Sequence, residues 1–240
     1  MKKLFDAIKK NNIGEVKALV EKDFTLVNCV SGTNPKKDIG QSPLQVALKN
    51  GSFDIAEYLI GCGADINFME ADEVDSILKT PVLFDAITAT LESLCYYQYE
   101  VSDRAICLAE KIVNMGADLN KRASNGSDVI GWAISRAAKI INIPSGYKEV
   151  QEAVRIKLTA ILDLLIDNGA DINRWGHSYR FPQYNLNPPS ESIAESSRLT
   201  NIDVFIGDIV PNCDRVYEMD KEMRIFLQNY FNNRGVNFTD

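Results

Sequence analysis

Gly63-Ala64-Asp65-Ile66-Asn67 decides the reading of this chain, because it recurs almost unchanged as Gly116-Ala117-Asp118-Leu119-Asn120 and Gly169-Ala170-Asp171-Ile172-Asn173. Phe24-Thr25-Leu26-Val27-Asn28 is a weaker fourth copy. Upstream of each copy stands a second motif: Leu4-Phe5-Asp6-Ala7-Ile8, Leu44-Gln45-Val46-Ala47-Leu48, Leu83-Phe84-Asp85-Ala86-Ile87 and Ile130-Gly131-Trp132-Ala133-Ile134. Self-similarity of this kind marks a chain of stacked units, none of which can bury its apolar face alone.

The chemistry of one unit is readable residue by residue. The upstream motif places apolar side chains at i, i+3 and i+4, the inner face of a short helix. A second amphipathic helix follows, as in Ile55-Ala56-Glu57-Tyr58-Leu59-Ile60 and Ile161-Leu162-Asp163-Leu164-Leu165-Ile166. It stops at Gly63, Gly116 or Gly169, where glycine takes a positive φ without a Cβ penalty and caps the helix. Asp-Ile/Leu-Asn then leads into an extended finger. Ser42-Pro43 and Thr80-Pro81 supply a hydroxyl N-cap and a proline at the first helical position of the next unit.

The order Ser/Thr-Pro-Leu-x-x-Ala, helix, turn, helix, Gly-Ala-Asp-Ile-Asn resembles the ankyrin repeat. Gly40-Gln41-Ser42-Pro43-Leu44-Gln45-Val46-Ala47, then Asn50-Gly51, then Gly63-Ala64-Asp65-Ile66-Asn67 covers nearly a whole repeat. The resemblance is clear over about residues 2–174. It implies an all-α solenoid of helix-turn-helix units with extended finger loops: four clear repeats plus a degenerate C-terminal unit. The expected organisation is one domain, 1–240, with repeats at about 2–39, 40–78, 79–125 and 126–174, a loop at 175–190 and a capping unit at 191–240. Asn201-Ile202-Asp203-Val204 and Gly235-Val236-Asn237-Phe238 carry the faint echo of a fifth unit.

The chain also departs from that pattern. Gly-Ala-Asp recurs at 63, 116 and 169, 53 residues apart each time, against roughly 33 in the family. Tyr96-Tyr97-Gln98-Tyr99-Glu100 separates the helices of the third repeat, and Ile143-Pro144-Ser145-Gly146-Tyr147 breaks the fourth. A long helix from about Lys148 to Asn168 follows that break.

Composition bounds the function. With 45% hydrophobic and 25% charged residues, the chain matches a folded protein and not a disordered one. No apolar run approaches the roughly 20 residues of a membrane span, and Met1-Lys2-Lys3-Leu4-Phe5-Asp6 leads into no apolar signal segment. Five irregularly spaced cysteines, none in a Cys-x-x-Cys pair, form neither a disulfide framework nor a zinc site, which fits a reducing, cytoplasmic setting. His177 is the only histidine, and no nucleophile elbow, zinc-protease or phosphate-loop motif occurs. The expectation is therefore a non-enzyme with no cofactor and no metal.

Charge points to the partner. From Gly51 to Asp103 there are eleven acids and one base, Lys79, a local charge of −10 within an overall −7. That balance disfavours direct nucleic-acid binding. Phe68-Met69-Glu70-Ala71-Asp72-Glu73-Val74-Asp75 follows Asn67 directly and should form a finger tip. In the ankyrin family such tips line the binding face. Glu70, Asp72, Glu73 and Asp75 are thus candidate contacts for a basic protein, the alternative being a simply solvated loop. Trp175, His177, Tyr179 and Phe181, interleaved with Arg174 and Arg180, form a second candidate surface, or else pack a long loop onto the solenoid end. Tyr96, Tyr97 and Tyr99 invite the same two readings. The resemblance implies a protein–protein interaction module, monomeric when free: a stand-alone inhibitor, immunity-type protein or adaptor. The alternative is an ankyrin scaffold carrying a small-molecule or enzymatic pocket in its insertions.

Overall fold

Each repeated motif folds as a helical hairpin. The structure is a computed structural model and describes residues 1–32, 38–71, 78–141, 148–171, 223, 225–227 and 229–235. It divides into two compact units, Met1–Asp118 and Leu119–Asp240. Among the described residues every regular element is helical.

Unit one holds three hairpins: α1 (Lys2–Lys9) with α2 (Ile13–Lys22), α3 (Pro43–Lys49) with α4 (Phe53–Gly61), and α5 (Val82–Glu92) with α6 (Tyr99–Asn114). The inner helices stack as α1–α3–α5 and the outer helices as α2–α4–α6. The shared motif supplies the core between them: Leu4, Ile8, Leu44, Leu48, Phe84 and Ile87 are fully buried, with Ile55, Leu59 and Ile112 closing from the outer helices. α3 presents no exposed apolar face, since every residue from Pro43 to Leu48 is buried.

Helix starts follow local chemistry where the spacing permits it. Ser42 and Gln45 form a reciprocal capping box at α3 (Gln45 N to Ser42 Oγ 3.2 Å, Ser42 N to Gln45 Oε1 3.1 Å) with Pro43 at the first helical position. The same device expected at Thr80-Pro81 does not form. Val82 separates Pro81 from Leu83, whereas Pro43 and Leu44 adjoin, so α5 begins at Val82 and Thr80 caps nothing. The extra length of the third repeat is helix more than loop. Its helices run to 11 and 16 residues, against 7 and 9 in the second repeat, and a short 3₁₀ turn (Ser93–Tyr96) extends α5.

The recurrent pentapeptide explains how repeats of unequal length stay in register. Gly63 and Gly116 take φ +80° and +92° and end their outer helices, as the sequence predicts. The side chain of Asn28 then reaches the next repeat, donating to Gly63 O (3.1 Å) and accepting from Asp65 N (2.8 Å). Asn67 does the same one repeat on, donating to Gly116 O (3.3 Å) and accepting from Asp118 N (2.7 Å). The carboxamide thus pairs one donor and one acceptor left over at the neighbour's helix end. Residues inserted within the hairpin do not disturb this contact, because both partners lie at its finger end. Asn67→Ala is expected to lower the unfolding free energy by about 1–2 kcal/mol, two hydrogen bonds at about 1 each. Urea denaturation followed by circular dichroism reads this directly, and a change under about 0.3 kcal/mol would show that the ladder contributes little.

Unit two holds α7 (Val129–Ile141) and α8 (Lys148–Asp167), the latter the long helix expected from the sequence. Asp128 caps α7 by accepting from Gly131 N (2.7 Å), after a tight finger that turns at Gly126 (Ala123 N to Ser127 O 3.0 Å). A C-terminal helical stretch buries Met223, Leu227 and Phe231, spaced four apart on one face, and bonds α8 through polar side chains. Tyr230 Oη donates to Asp163 Oδ1 (2.6 Å), and the Arg234 guanidinium bonds Asp163 and Asp167.

Candidate functional site

The finger after the second repeat is closed at its base by two ties. Val82 N donates to Phe68 O (3.2 Å), and Thr80 N donates to Glu70 Oε2 (3.1 Å). Beneath the second tie lies a polar cluster buried among the inner helices. Gln45 Nε2 donates to Thr80 O (2.8 Å) and lies 3.4 Å from Glu70 Oε2. Lys49 Nζ stands between two carboxylates, 3.5 Å from Asp85 Oδ1 and 3.9 Å from Glu70 Oε1. Thr80 Oγ1 is 3.3 Å from Asp85 Oδ1.

Lys49 is the last residue of α3, and its counterpart in α1 does the same work. Lys9 Nζ bonds Asp38 Oδ2 (2.8 Å), and Asp38 is buried at the base of the first finger. Ser31 closes that base by donating its backbone N–H to Gln41 O (2.9 Å) and its hydroxyl to Asp38 O. The first two fingers thus each have one acid committed to the lysine that ends the preceding inner helix.

The cluster is not electrically neutral in its preferences. Burial pushes the Asp85 carboxyl up to about 7; Lys49 opposes that rise and Glu70 adds to it. One ammonium serves two buried carboxylates, and Glu70 Oε1 and Asp85 Oδ2 have no hydrogen-bond partner. A carboxyl in this setting holds its proton far above the ordinary range.

On the outer face, bases from α6 meet acids of α4. Arg104 pairs with Asp54 and lies over the Phe53 ring, and Lys111 pairs with Glu57 (3.1 Å). Between these helices runs an open groove of about 320 Å³ floored by Phe53, Cys107 and Leu108. Four acids of the Gly51–Asp103 block are thus engaged internally: Asp54, Glu57, Glu70 and Asp85.

Residues 3–70 match the family model for ankyrin repeats (3 copies). Over that stretch the chain is similar to ankyrin repeats. The matched stretch runs from α1 to Glu70, so it ends at the base of the second finger, and the enlarged repeats lie beyond it. No curated protein matches the chain. Ankyrin repeats are protein–protein interaction modules and typically non-enzymatic scaffolds. Among the described residues no helix is long and apolar enough to cross a membrane, and no three metal-ligating side chains cluster.

Of the partner-contact residues expected from the sequence, the structure describes one. Glu70 is only 2% exposed and faces Thr80, Gln45 and Lys49, so it anchors the finger instead of lining its tip. A carboxylate with internal donors available gives up its water to them, which a count of neighbouring acids cannot reveal. Asp72, Glu73 and Asp75 lie outside the described residues, as do Trp175, His177, Tyr179 and Phe181. Sequence reasoning missed Gln45, Lys49, Thr80 and Asp85 as a cluster. One signal was present: Asp85 is a charged residue inside an otherwise apolar inner-helix motif.

Proposed function

We propose that this chain acts by binding, as an inhibitor, immunity-type protein or adaptor, and that the finger after Asn67 docks a basic surface of a protein partner. One observation carries the reading. The finger is tied at Phe68–Val82 and Glu70–Thr80, and the sequence between the ties puts Asp72, Glu73 and Asp75 together with no base from 71 to 78. A loop fixed at both stems loses less conformational entropy on binding than a free one. Like charges at close spacing repel, and a cationic partner relieves that repulsion. Trp175, His177, Tyr179 and Phe181 remain a second contact surface in this reading, aromatic where the finger is anionic.

The test separates anchor from contact. Charge reversal of Asp72, Glu73 and Asp75, with Glu70 left intact, is compared with wild type in affinity capture read by mass spectrometry. The expected result is a basic, stoichiometric partner held by wild type and lost by at least tenfold in the reversal. A partner retained equally by both proteins removes the finger from the contact surface.

A further inference from the structure

Glu70 differs from the other charged members of the buried cluster in one respect: it belongs to the finger and not to a helix. Lys49 ends α3 and Asp85 sits in the first turn of α5, so the packing of those helices fixes both backbones. Glu70 is held only by what its carboxylate meets. Its partners are Thr80 N on the opposite stem (3.1 Å), Gln45 Nε2 (3.4 Å) and Lys49 Nζ (3.9 Å). The tie that closes the base of the finger is thus the part of the cluster that can leave it without unwinding a helix.

The cluster holds more acceptors than donors. Lys49 Nζ lies between the two acids and stands closer to Asp85 (3.5 Å) than to Glu70 (3.9 Å). Each acid keeps one buried oxygen without a hydrogen-bond partner, Glu70 Oε1 and Asp85 Oδ2. Around Asp85, α3 supplies Lys49, and the finger stems supply Glu70 and the Thr80 hydroxyl, with Lys79 buried next to Thr80. α6 also packs on α5, but it turns Arg104 and Lys111 toward Asp54 and Glu57 on α4, and its acids Glu100, Asp103 and Glu110 are exposed. One buried ammonium cannot compensate two buried carboxylates, so the arrangement is stable only while one acid keeps its proton. Burial and Glu70 both raise Asp85, which makes it that acid.

We propose that Asp85 gates the finger: on ionising it takes Lys49 from Glu70 and repels the Glu70 carboxylate, and the Glu70–Thr80 tie opens while the helices stay packed. Glu70 yields because swinging outward returns its charge to water. In the closed form Asp85 holds its proton up to about 7, and once the stem opens it is solvated and loses it near the ordinary 3.8. The open form therefore binds fewer protons between those values, so opening grows as pH rises and levels off above 7. A consequence, resting on the docking reading above, is weaker partner binding on the alkaline side, because an opened loop must be ordered again as it docks.

Amide hydrogen exchange of the full chain, with no partner present, reads the tie at Thr80 N. Protection is compared at pH 5 and pH 8, with and without about 1 M urea, in wild type and Asp85→Asn. In wild type the Thr80 protection factor should fall about tenfold or more from pH 5 to pH 8, and in Asp85→Asn by less than about twofold. Its exchange should be insensitive to urea, the mark of a local opening, whereas the amide of Leu48, buried in α3, should exchange faster in urea. The gate is overturned if Thr80 protection falls equally in both proteins or in neither. It is also overturned if Thr80 responds to urea as Leu48 does, which would leave Asp85 acting on global stability alone. Failure here leaves the docking of Asp72, Glu73 and Asp75 standing. Conversely, a partner retained by the finger reversal removes the docking reading and leaves the gate intact.

Discussion

Glu70→Ala is expected to lower the unfolding free energy by about 3 kcal/mol, although the residue sits in the most acidic stretch of the chain. Deleting the carboxylate removes the acceptor for Thr80 N and the contact with Gln45 Nε2, both buried. An orphaned buried donor costs about 1–3 kcal/mol, and the lost bonds were made to a carboxylate, the stronger kind. Lys49 keeps Asp85 as a partner, which limits the loss below that of a fully uncompensated buried charge. Glu70→Gln, which preserves shape and one acceptor, should cost about 1 kcal/mol. Urea denaturation of the three proteins at one pH decides it. An alanine variant within about 0.5 kcal/mol of wild type would show that the tie does not hold the finger.

The second large effect is on pH dependence. Asp85 is held at about 7 in the folded chain, against an ordinary value of 3.8. Between those values the folded state keeps a proton that the unfolded state has released. The unfolded state binds fewer protons there, so stability falls as pH rises, by up to about 1.4 kcal/mol per pH unit. The contribution is fully present below about pH 4 and lost as pH passes through 7. Asp85→Asn cannot ionise. From pH 5 to pH 8, wild type should therefore lose about 2–3 kcal/mol more than the asparagine variant. Comparing the two proteins cancels the titration of the single histidine, His177. Parallel stability curves for the two would contradict the assignment.

These two residues show where sequence reading stops. The glycine caps, the Ser42-Pro43 start of α3 and the length of α8 were legible because each rests on residues a few positions apart or on a near-exact repeat. Glu70 was misplaced because its burial is set by Gln45, 25 residues earlier, and by Lys49. The acidity of the Gly51–Asp103 block was overstated for a related reason. Its counter-charges, Arg104 and Lys111, sit on α6 just past the block and return to α4 through the fold. Tyr96 and Tyr97 were visible as an aromatic cluster, but only the backbone shows that Tyr97 occupies the positive-φ turn site matched by Asn11 and Gly51. Thr80-Pro81 misled for the opposite reason: the local signal was right in kind, and one added residue moved the helix start past it.

The proposed division of labour in the finger, with Glu70 holding and the acids beyond it binding, is tested most directly by amide hydrogen exchange of the chain with and without its captured partner. The account predicts new protection concentrated in residues 71–79 and no change at the α3–α5 core, which is already closed. Protection confined to residues 174–184, with 71–79 exchanging as in the free chain, would contradict it and assign the contact to the aromatic loop.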